Sequence, residues 1–211
     1  MTRGRFITLE GGEGTGKSTQ TRRLAARLEA LGVDVLATRE PGGSPGGEEI
    51  RKLLVTGAPG RWQPITEALL HMASRSDHVA TVIEPALAAG RWVVCDRFFD
   101  STVVYQGIVQ GVGEARVRAL YSDIFGTFAP DLTLILDLEA KTGLARANEN
   151  GREGRYEEMG EGFHKRVADA FRAIAAAEPD RCRLIDAVGT PDEVEDRLWR
   201  EVSPLVETAC A

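Results

Sequence analysis

Lysine is scarce in this chain: it stands only at positions 17, 52, 141 and 165, and every other basic residue is arginine. That skew reflects codon usage as readily as function, so each arginine has to be judged by its surroundings. Cysteine is scarcer still. Cys95, Cys182 and Cys210 are an odd number without metal-type spacing, which excludes a disulfide scaffold and a cysteine-built zinc site. No apolar run approaches the eighteen or so residues that a membrane span needs. Met1-Thr-Arg-Gly-Arg-Phe6 runs straight into an apolar stretch and leaves no room for a signal peptide, so reduced thiols and a cytoplasmic location are expected, with no membrane partner. Positive charge is not in excess either. The net charge of −6 argues against sequence-independent binding of nucleic acid. With 211 residues and an ordinary hydrophobic fraction of 43 %, the chain can bury one good core, and a single domain over residues 1–211 is expected.

What is present is an alternation of short apolar runs and helical periodicity. Phe6-Ile-Thr-Leu, Val33-Asp-Val-Leu-Ala, Trp92-Val-Val-Cys, Leu132-Thr-Leu-Ile-Leu and Arg183-Leu-Ile lack polar alternation, as strands covered on both faces do. The pattern predicts an α/β fold, a parallel sheet with helices on both faces. Leu24, Leu28 and Leu31 are expected on one helical face, with Gly32 as the stop. The longest helix is predicted from Pro64 to Ala89, with Pro85 kinking it or ending its regular part. Thr190-Pro-Asp-Glu193 fits a capping box with proline at the first helical position, ahead of Val194, Leu198, Val202 and Leu205. Residues 148–162, with Gly151, Gly154, Gly160 and Gly162 among charges, suit a mobile lid.

Gly11-Gly-Glu-Gly-Thr-Gly16-Lys17-Ser18 matches G-x-x-x-x-G-K-[ST] between a strand and a helix, the context that motif requires. Glycines allow the backbone of Gly11, Gly12, Glu13, Gly14, Thr15 and Gly16 to curl round a polyphosphate with its N–H groups inward. The helix that begins there, with Lys17, Ser18 and Thr19, adds the positive end of its dipole. Lys17 can reach the β- and γ-phosphates of ATP, and the Ser18 hydroxyl can ligate Mg²⁺. Asp96, at the end of an apolar strand, is the expected second holder of Mg²⁺ or its waters.

The N-K-x-D base-reading motif of guanine-nucleotide switches is missing. Asp123-Ile-Phe-Gly126 imitates their D-x-x-G but falls in a helical stretch. Arginines form two groups instead: Arg39, Arg51, Arg75 and Arg97 in the first half, and Arg146, Arg152 and Arg155 in or beside the glycine-rich segment. Two groups suggest two anionic substrates, as in a kinase for a nucleoside monophosphate. An acceptor phosphate with a second pKa of about 6 is already an anionic nucleophile at neutral pH. No general base is needed, in keeping with the lack of a histidine-based arrangement. The obstacle is bringing a dianion up to the γ-phosphate, and guanidiniums with Mg²⁺ relieve it. On residues alone, other acceptors such as dUMP or dGMP stay open, as does a nucleotide-binding regulatory protein without catalysis.

Glu10-Gly-Gly-Glu-Gly-Thr-Gly-Lys-Ser-Thr19, Thr38-Arg-Glu-Pro-Gly-Gly43, Glu48-Glu-Ile-Arg51, Ala73-Ser-Arg75, Asp96-Arg97-Phe98, Ser101-Thr102, Tyr105-Gln-Gly107 and Pro130-Asp-Leu-Thr-Leu-Ile-Leu-Asp137 together resemble bacterial thymidylate kinases, in order, from about residue 5 to 190. The resemblance implies a five-stranded sheet of order 2-3-1-4-5, a homodimer using the long helix from Pro64, and conversion of dTMP to dTDP with MgATP for dTTP synthesis. It implies that Arg39, Arg51 and Arg97 hold the dTMP phosphate, that Arg75 reads the thymine edge with Thr102 and Gln106, and that Tyr105 lies against the deoxyribose. Glu13 and Glu40 would face the sugar and metal region. Members of the family put a catalytic arginine either in the phosphate loop or in the lid. With Gly14 following Glu13, the lid should supply it here, from Arg152 or Arg155, beside Lys17, Arg97 and Glu13. Arg146 is expected near ATP, and the adenine near residues 187–189. Where the family commonly has phenylalanine, four residues before Arg75, this chain has His71, expected to stack on the thymine.

Overall fold

The structure of the protein is a computed structural model that describes residues 3–58, 60–149, 156 and 159–210; the side chains of 148, 149 and 208–210 are outside the description. Five parallel strands form one sheet: β1 Phe6–Gly11, β2 Val35–Arg39, β3 Trp92–Asp96, β4 Leu132–Asp137 and β5 Cys182–Asp186. Their order is β2-β3-β1-β4-β5, as the resemblance implied. Alternation along β1 shows how the sheet is covered. Ile7 and Leu9 pack with Leu24 and Leu28 of α1 (Lys17–Ala30) and with Leu198 and Val202 of α9 (Pro191–Cys210). Phe6 points the other way, toward Met72 of α3 (Pro64–His78) and Phe171 of α8 (Gly160–Ala177). With apolar layers on both sides, only apolar residues satisfy most strand positions. Thr8 is an exception on the second face, and its hydroxyl is matched by that of Thr133, 2.9 Å away.

The remaining helices are α2 (Pro45–Val55), α4 (Glu84–Ala88), α5 (Phe99–Thr102), α6 (Glu114–Phe125) and α7 (Ala140–Glu149). Between α3 and α4 the backbone stays helical but widens to π register over Val79–Ile83, immediately before Pro85. Pro85 has no N–H for the carbonyl four residues back and its ring crowds that carbonyl, so a wider turn there lets the run continue. A second π segment, Val103–Val109, follows α5. The α6 helix contains Asp123 and ends at Gly126, so the D-x-x-G imitation has no loop role. Thr190 and Glu193 form the expected capping box: the Thr190 N–H donates to Glu193 Oε2 at 2.7 Å, and the Glu193 N–H to Thr190 Oγ1 at 3.3 Å. Among the described residues, no helix is long and apolar enough to cross a membrane.

Two expectations need correction. Strand β2 begins at Val35 and not at Val33, because the Val33 N–H donates to the carbonyl of Leu28 and closes the end of α1. Leu31, just past the last turn, is 56 % exposed and takes no part in the face made by Leu24 and Leu28. Register brings Leu9, Arg39 and Asp96 level across β1, β2 and β3. The loops that follow these strands therefore meet at the C-terminal edge of the sheet, where open α/β sheets bind ligands.

Candidate active site

Strand β1 runs into the loop of residues 11–16, and α1 begins at Lys17. Two of its glycines are dictated by shape. Gly11 has φ +130°, and a Cβ there would come within 2.4 Å of the Leu136 carbonyl oxygen. Gly14 has φ +67°, and a Cβ would lie 1.8 Å from the Gly143 carbonyl oxygen on α7. The contact is mutual, since a Cβ on Gly143 would lie 2.4 Å from the Glu13 carbonyl oxygen. Thr19 and Gln20 donate their N–H groups to Gly16 O, closing the first turn of α1. Lys17 folds over the loop, its ammonium donating to Gly11 O at 3.0 Å, Gly12 O at 2.5 Å and Thr15 Oγ1 at 3.3 Å. Burial, reinforced by the charge of Arg97, pushes its pKa down to about 8. Anionic phosphate oxygens would raise it again.

Ser18 Oγ donates to Asp96 Oδ2 at 2.5 Å, so the last residue of β3 meets the first turn of α1. This pair of hard oxygen ligands, hydroxyl and carboxylate, fits Mg²⁺, which keeps most of its waters and takes the rest of its shell from substrate phosphates. No cluster of three or more His, Cys, Asp or Glu that could cage a metal occurs among the described residues.

Arg97 follows directly and has φ +68°, a left-handed conformation that non-glycine residues seldom adopt away from functional sites. Glu10, at the end of β1, clamps this turn. Its Oε1 accepts the N–H groups of Phe98 at 2.8 Å and Ser101 at 3.2 Å, and its Oε2 accepts the Ser101 hydroxyl at 2.5 Å. Burial and the nearby Asp100 raise the Glu10 pKa to about 7. The turn aims Arg97 at the phosphate loop, with Nη1 donating to Gly11 O at 3.1 Å and Nη2 to Glu13 Oε1 at 2.6 Å. Tyr105 completes the arrangement: its ring lies 5.2 Å from the guanidinium, and its hydroxyl donates to Glu13 at 3.0 Å. Burial alone would raise the Glu13 pKa, yet Arg97 and Lys17 outweigh it and hold the group down to about 2. Glu10 was not among the expected site residues. An acidic residue closing an otherwise apolar strand was the available signal.

Arg39 is exposed at the end of β2 and pairs with Glu48 at 2.9 Å. Arg51, from α2, donates to Pro41 O at 2.8 Å. Its pKa is lowered by burial first, and then by the positive charges of Arg39 and Arg97. Arg51 is thus repelled by Arg39 and Arg97, and Lys17 by Arg97, a field that favours a bound anion.

Arg75 is 1 % exposed, the largest fully buried side chain. Its Nε donates to Glu40 Oε2 at 2.7 Å and its Nη2 to Thr102 Oγ1 at 3.1 Å, with the Phe98 ring 5.0 Å away. Glu40 spends its carboxylate on Arg75 and on His78 Nδ1, 3.1 Å away. A buried guanidinium needs a counter-charge, and Glu40 is that charge. The other nitrogen of His78 meets Thr38 Oγ1 at 2.8 Å. Gln106 donates from Nε2 to Glu67 Oε1 at 2.7 Å, and half-buried His71 lies 3.4 Å from the Tyr156 hydroxyl. Arg146 donates to Ala187 O at 3.4 Å, which joins α7 to the loop after β5. Arg152 and Arg155 lie outside the described residues.

A strand, glycine loop and helix, with a lysine and a serine–aspartate pair at the loop and a second cationic site alongside, define a P-loop phosphotransferase. The family profile described as thymidylate kinase matches residues 9–198. The chain is 53 % identical over 205 residues to a thymidylate kinase of Rhizorhabdus wittichii, covering 96 % of this chain and 99 % of that one. It is 54 % identical over 194 residues to a thymidylate kinase of Caulobacter vibrioides, covering 92 % and 93 %. The crystal structure of thymidylate kinase from Ehrlichia chaffeensis superposes with a TM-score of 0.77 at 31 % identity, over 95 % of this chain and 99 % of that one. The chain belongs to the thymidylate kinase family.

Proposed function

We propose that this protein transfers the γ-phosphoryl group of MgATP to dTMP, giving dTDP for dTTP synthesis. The observation that carries the reading is that Arg39 and Arg97 bear on Arg51, which burial first and then their charges depress, and that Arg97 reaches the Lys17 loop at Gly11 O. The phosphates of ATP lie in the loop of residues 11–16 and on Ser18 and Thr19, and the dTMP phosphate lies on the three arginines. Ser18 and Asp96 would hold Mg²⁺, which would supply positive charge to the phosphates. The acceptor oxygen needs no base, so this chain's work is to bring two anions together and stabilise the charge spread over the transferring group. Lys17 and Arg97 face that charge. Glu13, held ionised, fixes Arg97 and the Tyr105 hydroxyl. Tyr105 packs on the deoxyribose, Arg75 with Thr102 and Gln106 reads the thymine, Glu40 holds Arg75, and His71 stacks on the base. Arg146 and the segment 187–189 border the adenine.

A further cation comes from the segment of residues 148–162, which acts as the lid, through Arg152 or Arg155. Position 14 cannot supply it, because the Gly143 carbonyl stands where its side chain would begin. The enzyme works in the cytoplasm as a homodimer with α3 in the interface. A coupled assay with MgATP across dTMP, dUMP, dGMP, UMP and CMP tests the reading. The expected order is dTMP first, dUMP poorer, and the ribonucleotides very poor. Equal kcat/KM for dTMP and UMP would overturn it.

A further inference from the structure

Glu67, on α3, is buried at 2 % exposure, and nothing above gives it a task. Its Oε1 accepts three hydrogen bonds: from Gln106 Nε2 at 2.7 Å, Gln110 Nε2 at 3.0 Å and the Tyr156 hydroxyl at 2.5 Å. An ionised carboxylate can only accept, and three donors on one oxygen suit that form. A glutamine amide, by contrast, has a donor end and an acceptor end of almost equal size, and only its surroundings decide which way it turns. Here the surroundings decide firmly. Both hydrogen bonds that Gln106 donates, to Glu67 and at 3.3 Å to Tyr156, leave from Nε2. The end available to a ligand is the acceptor, Oε1. Thr102, which takes a hydrogen bond from Arg75, lies four residues earlier on the same helical run. A donor-only guanidinium, bonded to Thr102, and an acceptor amide oxygen thus lie about one turn apart along that run.

We infer that Glu67 sets the base specificity of the acceptor site by locking the Gln106 amide with its oxygen toward the base. This rests on the reading that Gln106 faces the thymine. A 4-keto pyrimidine offers O4, an acceptor, and N3–H, a donor, which complement Arg75 and Gln106 Oε1. A 4-amino pyrimidine offers an NH₂ group and an unprotonated N3. Against this pair it sets donor to donor and acceptor to acceptor, leaving buried polar groups unpaired. A freely turning Gln106 could offer its NH₂ to that N3. Glu67 removes this option without touching the nucleotide, so it is a positioning residue.

5-Methyl-dCMP is the probe, since it differs from dTMP only on the base edge. Glu67→Met removes the acceptor oxygen at similar volume. The ratio of kcat/KM for dTMP to that for 5-methyl-dCMP should fall at least about tenfold, the worth of one misplaced hydrogen bond, while KM for ATP stays within about twofold. General loosening of the pocket would weaken both nucleotides and leave the ratio alone. Glu67→Gln keeps an acceptor oxygen but also brings a donor end that can turn toward Gln106, so its ratio should fall between those of the parent and of Glu67→Met. The exchange Glu67→Gln with Gln106→Glu preserves the charge inventory and puts an acceptor-only group at 106, so it should discriminate at least as well as the parent. It serves also if Glu67→Met does not fold. An unchanged ratio in folded Glu67→Met, or loss of dTMP preference in the exchange variant, overturns the inference. Gln106→Met separates this from failure of the underlying reading: if its KM for dTMP equals the parent's, Gln106 is not at the base and both fall together. If that KM rises while folded Glu67→Met keeps the parent's ratio, only the role of Glu67 fails.

Discussion

Around the phosphate loop the groups that matter are mostly main chain: carbonyls at Gly11 and Gly12 that hold Lys17, and close approaches at Gly11 and Gly14 that leave no room for a side chain. On the acceptor side they are side chains, and charged ones. Arg75 and Glu40 form a buried pair, with His78 on the same carboxylate, and Arg97 and Glu13 form a half-buried one with Tyr105; in each pair the two charges come from distant parts of the chain. A loop made of backbone recognises polyphosphate by shape and tolerates no added bulk. A pocket made of paired charges is suited to recognition by chemistry, and loses that character when either partner goes.

The contrast can be broken at four points. Lys17→Ala should have the largest effect, a fall in kcat of roughly 10³-fold or more with KM for dTMP little changed, measured by steady-state kinetics. If KM for dTMP rose in proportion, the two ends would not be separate. Arg97→Ala should lower kcat/KM for dTMP by on the order of 10²-fold, through KM as well as kcat, because it removes an acceptor contact and strands Glu13. Unchanged dTMP kinetics would remove Arg97 from the acceptor phosphate.

The third point is pH. The Glu13 pKa is depressed from the ordinary 4.5 to about 2 in the folded protein. Its contribution, about 3 kcal/mol, is therefore complete above pH 4.5 and lost as pH falls toward 2. Thermal melts of the parent and of Glu13→Gln should differ most above pH 5 and converge toward pH 2; a gap independent of pH would count against the Arg97–Glu13 pair. The smallest effect is expected at His71. His71→Phe should keep or improve dTMP affinity, and His71→Ala should weaken it by roughly 1–3 kcal/mol, the size of an aromatic–base stack. Equilibrium binding of dTMP decides it: if both variants match the parent, His71 lies outside the pocket.

The backbone end was the more legible of the two, for a physical reason. Its chemistry is local, so Gly11 to Ser18 carry their own spacing, and the strand before and helix after complete the motif. The side-chain end depends on partners far apart in the chain: Glu40 and Arg75 are 35 residues apart, Glu67 and Tyr156 89, Glu10 and Ser101 91. Nothing near Glu67 in sequence announces that it is buried, and the apolar strand before Glu10 hints at burial without saying what the carboxylate holds. Arg75 and Arg97 were found through family resemblance, and their counter-charges only through the fold. Helix α1 and its stop were expected, but periodicity could not tell that Val33 belongs to the helix end and Leu31 to the surface. The strand order likewise came from the resemblance, since apolar runs say which segments are strands and not which are neighbours.

The mutual contact of Gly14 and Gly143 has a consequence for how such a chain can diverge. Each glycine is held in place by the backbone beside the other, so neither can gain a side chain while its neighbourhood stays as it is. A lineage that moved its catalytic arginine into the phosphate loop would first need α7 to retreat. Until then the substitution would strain the loop on its own and be tolerated only in the altered background, a case of sign epistasis. A side chain at position 14 is therefore barred by the scaffold, and admitted only by a change some 130 residues away in the chain.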